Sequence, residues 1–115
     1  PAPGMKSAEV FVSCMCYHGG SIWVAVGPCL LRLDPHTKKI INYLEGRSKI
    51  ISCLIGVGKN LWSAGHDMKI KVWDMNSGSQ TCQLEQTSQV FALNYDGTVV
   101  WAACLDKSIT WYDGK

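Results

Sequence analysis

Apolar and polar residues alternate with period two along most of the chain, in short runs separated by Gly, Asn, Asp and Ser. That is the pattern of strands joined by turns, and no stretch carries the 3.6-residue periodicity of an amphipathic helix. A first strand is predicted at Val10 to Tyr17, and again at Ile50 to Val57 and Val90 to Tyr95. Each ends in a turn, His18-Gly19-Gly20, Gly58-Lys59-Asn60 or Asp96-Gly97, where glycine supplies the positive φ of a tight hairpin. Second strands follow at Ser21 to Val26, Asn60 to Ala64 and Thr98 to Cys104. Third strands are predicted at Leu30 to Asp34, Ile70 to Asp74 and Ile109 to Asp113. Fourth strands are predicted only twice, at Ile40 to Leu44 and Gln80 to Leu84.

The strands belong to a repeat. Trp23, Trp62 and Trp101 recur every 39 residues, and in the same register stand Gly19, Gly58 and Gly97, and Ala25, Ala64 and Ala103. A unit of four antiparallel strands in about 40 residues predicts an all-β chain of β-propeller blades, since a sandwich or closed barrel needs no such repeat. The predicted division is a linker at 1–9, blade one at 10–46, blade two at 47–85, and blade three at 86–115 without its fourth strand. The expected ring is incomplete, about 2.75 blades. A blade buries its faces only against neighbours, so the outer faces of such an array are expected to be apolar and to need covering, by further blades or by self-association.

The run Ala64-Gly65-His66-Asp67-Met68-Lys69-Ile70-Lys71-Val72-Trp73-Asp74 resembles the WD-repeat β-propeller family, down to its closing Trp73-Asp74 pair. Leu33-Asp34 and Tyr112-Asp113 resemble degenerate forms of that pair. The resemblance implies a structural role for Asp67 and Asp106 in the turns between second and third strands, where the family's aspartate accepts a hydrogen bond from the histidine of a Gly-His pair. That histidine is missing here. Gly46-Arg47-Ser48 stands before the second blade and Gln86-Thr87-Ser88 before the third, so the repeats are divergent. Ile22 to Gly27 leading into Leu31 to Pro35 is also similar to the carboxyl-terminal propellers of guanine-nucleotide exchange factors and leucine-rich-repeat kinases.

Partners of such propellers dock on the turns between second and third strands and on the connections between blades. Carried over position by position, this implies partner contacts at Arg47, Ser48 and Lys49, at His66 and Met68, at Gln86 and Ser88, and at Lys107. Arg47, Lys49 and His66 form the strongest cluster, a basic rim suited to an acidic or phosphorylated peptide. The tryptophans Trp23, Trp62, Trp101, Trp73 and Trp111 recur at strand positions, and are expected to pack between blades rather than to stack on nucleic-acid bases.

Composition narrows the chemistry further. Charged residues are 17% of the 115, hydrophobic ones 47%, and the net charge of +2 is scattered, so no nucleic-acid footprint is expected. No apolar run approaches the length of a membrane span, and a cytoplasmic location is expected. Six cysteines without a secretion signal read as reduced thiols, four of them (Cys14, Cys53, Cys82, Cys104) as small hydrophobes within strands. Alternation sets Cys14, Cys16 and His18 on one strand face, but a zinc site needs a fourth ligand and a turn between its cysteines, so neither metal nor cofactor is expected. No nucleophile, base and acid come together in the pattern, and no phosphate loop is present, which favours a non-catalytic interaction platform, part of a larger signalling, trafficking or scaffold protein. The alternative is an enzyme or ligand-binding propeller with a site in its central channel; the apolar Val10, Ile50 and Val90 that open the first strands speak for the platform.

Overall fold

The computed structural model describes residues 12–27, 29–44 and 50–114 and contains eleven strands in three antiparallel sheets. The first sheet is a meander of β1 (Val12–His18), β2 (Ser21–Val26), β3 (Cys29–Leu33) and β4 (Ile40–Leu44). The second repeats it with β5 (Ile51–Val57), β6 (Asn60–Gly65), β7 (Lys69–Asp74) and β8 (Gln80–Glu85). The third has β9 (Val90–Tyr95), β10 (Val99–Cys104) and β11 (Ile109–Asp113), in the order β11-β10-β9, and β11 leaves one edge open among the described residues. These strands match the expected ones to within a residue or two; the predicted linker at 1–9 and the start at Val10 lie outside the described residues. No helix among them is long and apolar enough to cross a membrane.

The sheets stack side by side like blades, with β1 against β5 and β5 against β9. Packing therefore lies between sheets. In the first interface Trp23, Ala25 and Leu30 of blade one meet Ile51, Leu54, Leu61, Trp73 and Met75 of blade two, with Cys14 and Cys16 at the margin. In the second, Trp62, Ala64 and Val72 of blade two meet Val90, Val100 and Ala102 of blade three. The small Ala25 of β2 and Ala64 of β6, both fully buried in these interfaces, let the sheets approach closely, as interior packing without voids requires.

Hydrogen bonds reinforce both stacking contacts. Ser13 Oγ donates to the Ile51 carbonyl, and its repeat mate Ser52 donates to the Val90 carbonyl, so each inner strand is tied to the next. In blade three the corresponding residue is Phe91, which is exposed. The outer face of that blade departs from expectation in the same way. Trp101 is 40% exposed and Trp111 63%, their rings 5.7 Å apart, rather than buried between blades. The reason is geometric: Trp101 points in the direction that Trp23 and Trp62 use to reach the next blade, and no described residue lies there.

None of the cysteines is joined in a disulfide, and only Cys104 is fully buried; Cys14, Cys16, Cys29 and Cys53 are half-buried and Cys82 is exposed, contrary to its expected packing. Burial raises the thiol pKa of both Cys14 and Cys16, which keeps them in the unreactive thiol form. His18 closes β1 facing blade two, its Nε2 2.8 Å from the Gly58 carbonyl and its ring flat over Gly56.

Candidate interaction surface at the turn end of the blades

The turns between second and third strands, and the connection from blade two to blade three, converge at one end of the stack. Met68 and Lys107 occupy the same place in successive turns, with φ of 61° and 71°, a left-handed conformation that turns the chain sharply and leaves both side chains exposed. Asp67 Oδ1 accepts the Lys69 amide at 3.3 Å, and Asp106 Oδ1 accepts the Ser108 amide at 3.0 Å, which closes each turn. The connection is laced to these turns, for the Gln86 amide donates to the Met68 carbonyl at 2.9 Å and the Leu105 amide to the Gln89 carbonyl at 2.8 Å.

His66 and Met68 are thus brought beside Gln86, while Ser88 lies beside Lys107 through its neighbour Asp106. Arg47, Ser48 and Lys49 lie outside the described residues. Of the sites placed, His66, Met68 and Lys107 present exposed side chains, whereas Gln86 and Ser88 are half-buried and engaged. Ser88 Oγ accepts the Asp106 amide at 3.1 Å. Gln86 holds three partners of blade three at once: its Nε2 donates to the Tyr112 hydroxyl, and its Oε1 accepts from Thr110 Oγ1 at 3.0 Å and more weakly from Cys104 Sγ.

A substitute for the absent histidine appears here, and sequence reading missed it. Thr87 Oγ1 donates to Asp106 Oδ2 at 2.9 Å, so a threonine one residue further along performs the donor's part. The Asp106 carboxyl is held below the ordinary carboxylate value, first by the Ser108 hydroxyl and then by Thr87. The available signal was the Gln86-Thr87-Ser88 run itself, three hydrogen-bonding side chains where one histidine was sought. In blade two a buried side-chain bond ties the second strand to the third: Trp73 Nε1 donates to Ser63 Oγ at 2.9 Å.

The repeat-equivalent tryptophans of the second strands differ in how their indole N–H is satisfied. Trp23 donates to the His18 carbonyl at 3.3 Å and Trp101 to Asp96 Oδ2 at 3.1 Å, while the buried Trp62 N–H finds no acceptor among the described residues. Trp62 also borders a cavity of about 290 Å³ between blades two and three.

No family model matches the chain. Among curated proteins it is similar to the WD-repeat protein groucho of Drosophila melanogaster, 32% identical over 72 residues. That match covers 61% of this chain and spans only about a tenth of groucho's length. Among solved structures it resembles the WD40 β-propeller domain of Doa1, with a TM-score of 0.77 and 14% identity over 84% of this chain and 34% of that one. The β-propeller domain of Cps50 (Swd1) from Myceliophteria thermophila gives 0.78 and 20% identity over 89% of this chain and 35% of that one. A computationally designed protein, Ika4, gives 0.82 and 17% identity over 90% of this chain and 66% of that one. At such identities the structural matches establish the fold alone.

Proposed function

We propose that this chain, a run of divergent WD-repeat β-propeller blades, is a non-catalytic platform that docks protein partners on its turn end. The observation that carries this reading is the convergence of the exposed His66, Met68 and Lys107 over turns locked by Asp67, Asp106, Thr87 and Gln86. A rigid underlayer holds exposed side chains in fixed positions, which lowers the ordering cost of binding. Lys107 and His66 on this surface, together with the basic Arg47 and Lys49 that the sequence sets just before blade two, favour as partner an acidic or phosphorylated peptide of a cytoplasmic signalling or scaffold assembly.

The test is an array of acidic, phosphorylated and neutral peptides probed with the 115-residue chain. Acidic or phosphorylated peptides should be enriched, and the Arg47→Glu/Lys49→Glu/Lys107→Glu variant should lose that enrichment while keeping its melting transition. No enrichment, or enrichment that survives the charge reversal, defeats the reading.

A further inference from the structure

The two blade interfaces are built from equivalent positions, which makes the loss of one cation between them legible. At the first, Arg32 lies across the sheet from Trp23, with its guanidinium carbon 5.2 Å from the centre of the indole ring. Its Nε donates to Ser21 Oγ at 2.8 Å and its terminal nitrogen to the Met75 carbonyl of blade two at 3.0 Å. The guanidinium thus fills the space over the ring and ties one blade to the next.

At the second interface each of these positions has a counterpart. Trp62 replaces Trp23, and its partner across the sheet is Val72 in place of Arg32. Asn60 stands where Ser21 stood. Gly114 takes the place of Met75: its amide bonds the Thr98 carbonyl at 2.9 Å just as the Met75 amide bonds the Lys59 carbonyl at 3.2 Å. The ring and a side-chain acceptor, at Asn60, are kept, but the valine is too short to reach them. The space left over is the cavity of about 290 Å³ bordered by Asn60, Trp62, Val72, Leu84, Tyr112 and Asp113.

We infer that this cavity is a receptor for a guanidinium group, the side chain of an arginine in an extended peptide of a partner. The indole face attracts a cation, and a planar guanidinium stacks on it better than a compact ammonium does. Asn60 supplies an oxygen acceptor, as Ser21 does for Arg32. Asp113 adds a carboxylate to the rim, and Tyr112, whose ring centre is 6.4 Å from that of Trp62, closes one wall. The inference deepens the reading of the chain as an interaction module, but it concerns the side of the stack rather than the turn end.

The test titrates a capped Gly-Arg-Gly peptide into the 115-residue chain and follows the indole N–H signals by NMR, with Trp62 assigned through Trp62→Phe. The arginine peptide should shift the Trp62 signal saturably, the lysine counterpart should bind about threefold more weakly or worse, and the uncharged citrulline counterpart should not bind. Val72→Arg places a guanidinium in the cavity from within and should abolish binding; Asp113→Asn, at the surface, should weaken it about threefold. Should Val72→Arg fail to fold, the citrulline peptide and Asp113→Asn decide. No shift at Trp62, equal binding of the citrulline peptide, or undiminished binding to folded Val72→Arg overturns the proposal. Because the peptide carries no acid, the outcome is independent of whether the turn end binds acidic partners.

Discussion

Thr87 Oγ1 donates to Asp106 Oδ2 at 2.9 Å, joining the connection between blades two and three to the turn at the end of blade three. The bond depends on Asp106 being ionised, and its carboxyl is held below the ordinary value by the Ser108 hydroxyl and Thr87. A group whose folded pKa is depressed contributes stability above its unfolded pKa, and that contribution is lost as pH falls through the folded value. Thr87→Val should therefore lower the melting temperature near neutral pH and make little difference once the pH is below both values. Thermal melts of the two proteins across the acid range check this, and a difference that persists unchanged in acid contradicts it.

The Trp73–Ser63 bond is of another kind, since both residues are buried and water cannot replace either. Ser63→Ala leaves an indole N–H without a partner and should cost about 1–3 kcal/mol in denaturant unfolding. Trp73→Phe in that background removes the orphaned donor, so the two changes together should cost less than the sum of each alone. Strict additivity would show that the bond contributes nothing.

Two glycines separate a movable obstacle from a fixed one. A Cβ on Gly56 would lie 2.0 Å from His18 Cγ, and one on Gly65 would lie 2.2 Å from the Ile50 carbonyl oxygen. Gly56→Ala should destabilise by about 1–3 kcal/mol, as overpacking does, and His18→Ala should recover most of the loss. Gly65→Ala should be at least as damaging and recoverable by no side-chain change, because the obstacle is backbone. Chemical denaturation of the singles and the double gives the answer; a Gly56→Ala/His18→Ala protein no more stable than Gly56→Ala would refute the account.

Phe91, Trp101 and Trp111 expose aromatic surface on one side of blade three. Trp111→Lys should reduce concentration-dependent association in sedimentation while changing stability by no more than about 0.5 kcal/mol, the usual range for a surface substitution. A large loss of stability would mean that Trp111 is packed, in conflict with its exposure.

Much of the fold was legible because a strand announces itself locally. Period-two alternation gave the strands, the glycine turns gave the hairpins, and the 39-residue register joined them into repeats, so the ends of β2, β4, β9 and β11 could be placed to the residue or one away. The tryptophans were harder. Five identical side chains in a repeating pattern look equally buried, yet Trp23, Trp62 and Trp73 have a blade against them and Trp101 and Trp111 have none among the described residues. Burial is a property of the neighbour as much as of the residue. At the turn end, the family resemblance pointed to His66, Met68 and Lys107, which are exposed, but the engagement of Gln86 and Ser88 within blade three was not visible, since a half-buried side chain and an exposed one can share a sequence context.

The sequence by itself determined what repeats: strands, turns and the all-β blade. These follow from local backbone preference and from the spacing of apolar residues, both written along the chain. Only the tertiary structure decided how the divergent positions are compensated, with Thr87 reaching Asp106 and Gln86 spanning Tyr112 and Thr110. It also decided that Arg32 fills one blade interface while Val72 leaves the next open. Hydrogen bonds and cavities depend on distances between residues far apart in the chain, and those distances exist only once the sheets are stacked.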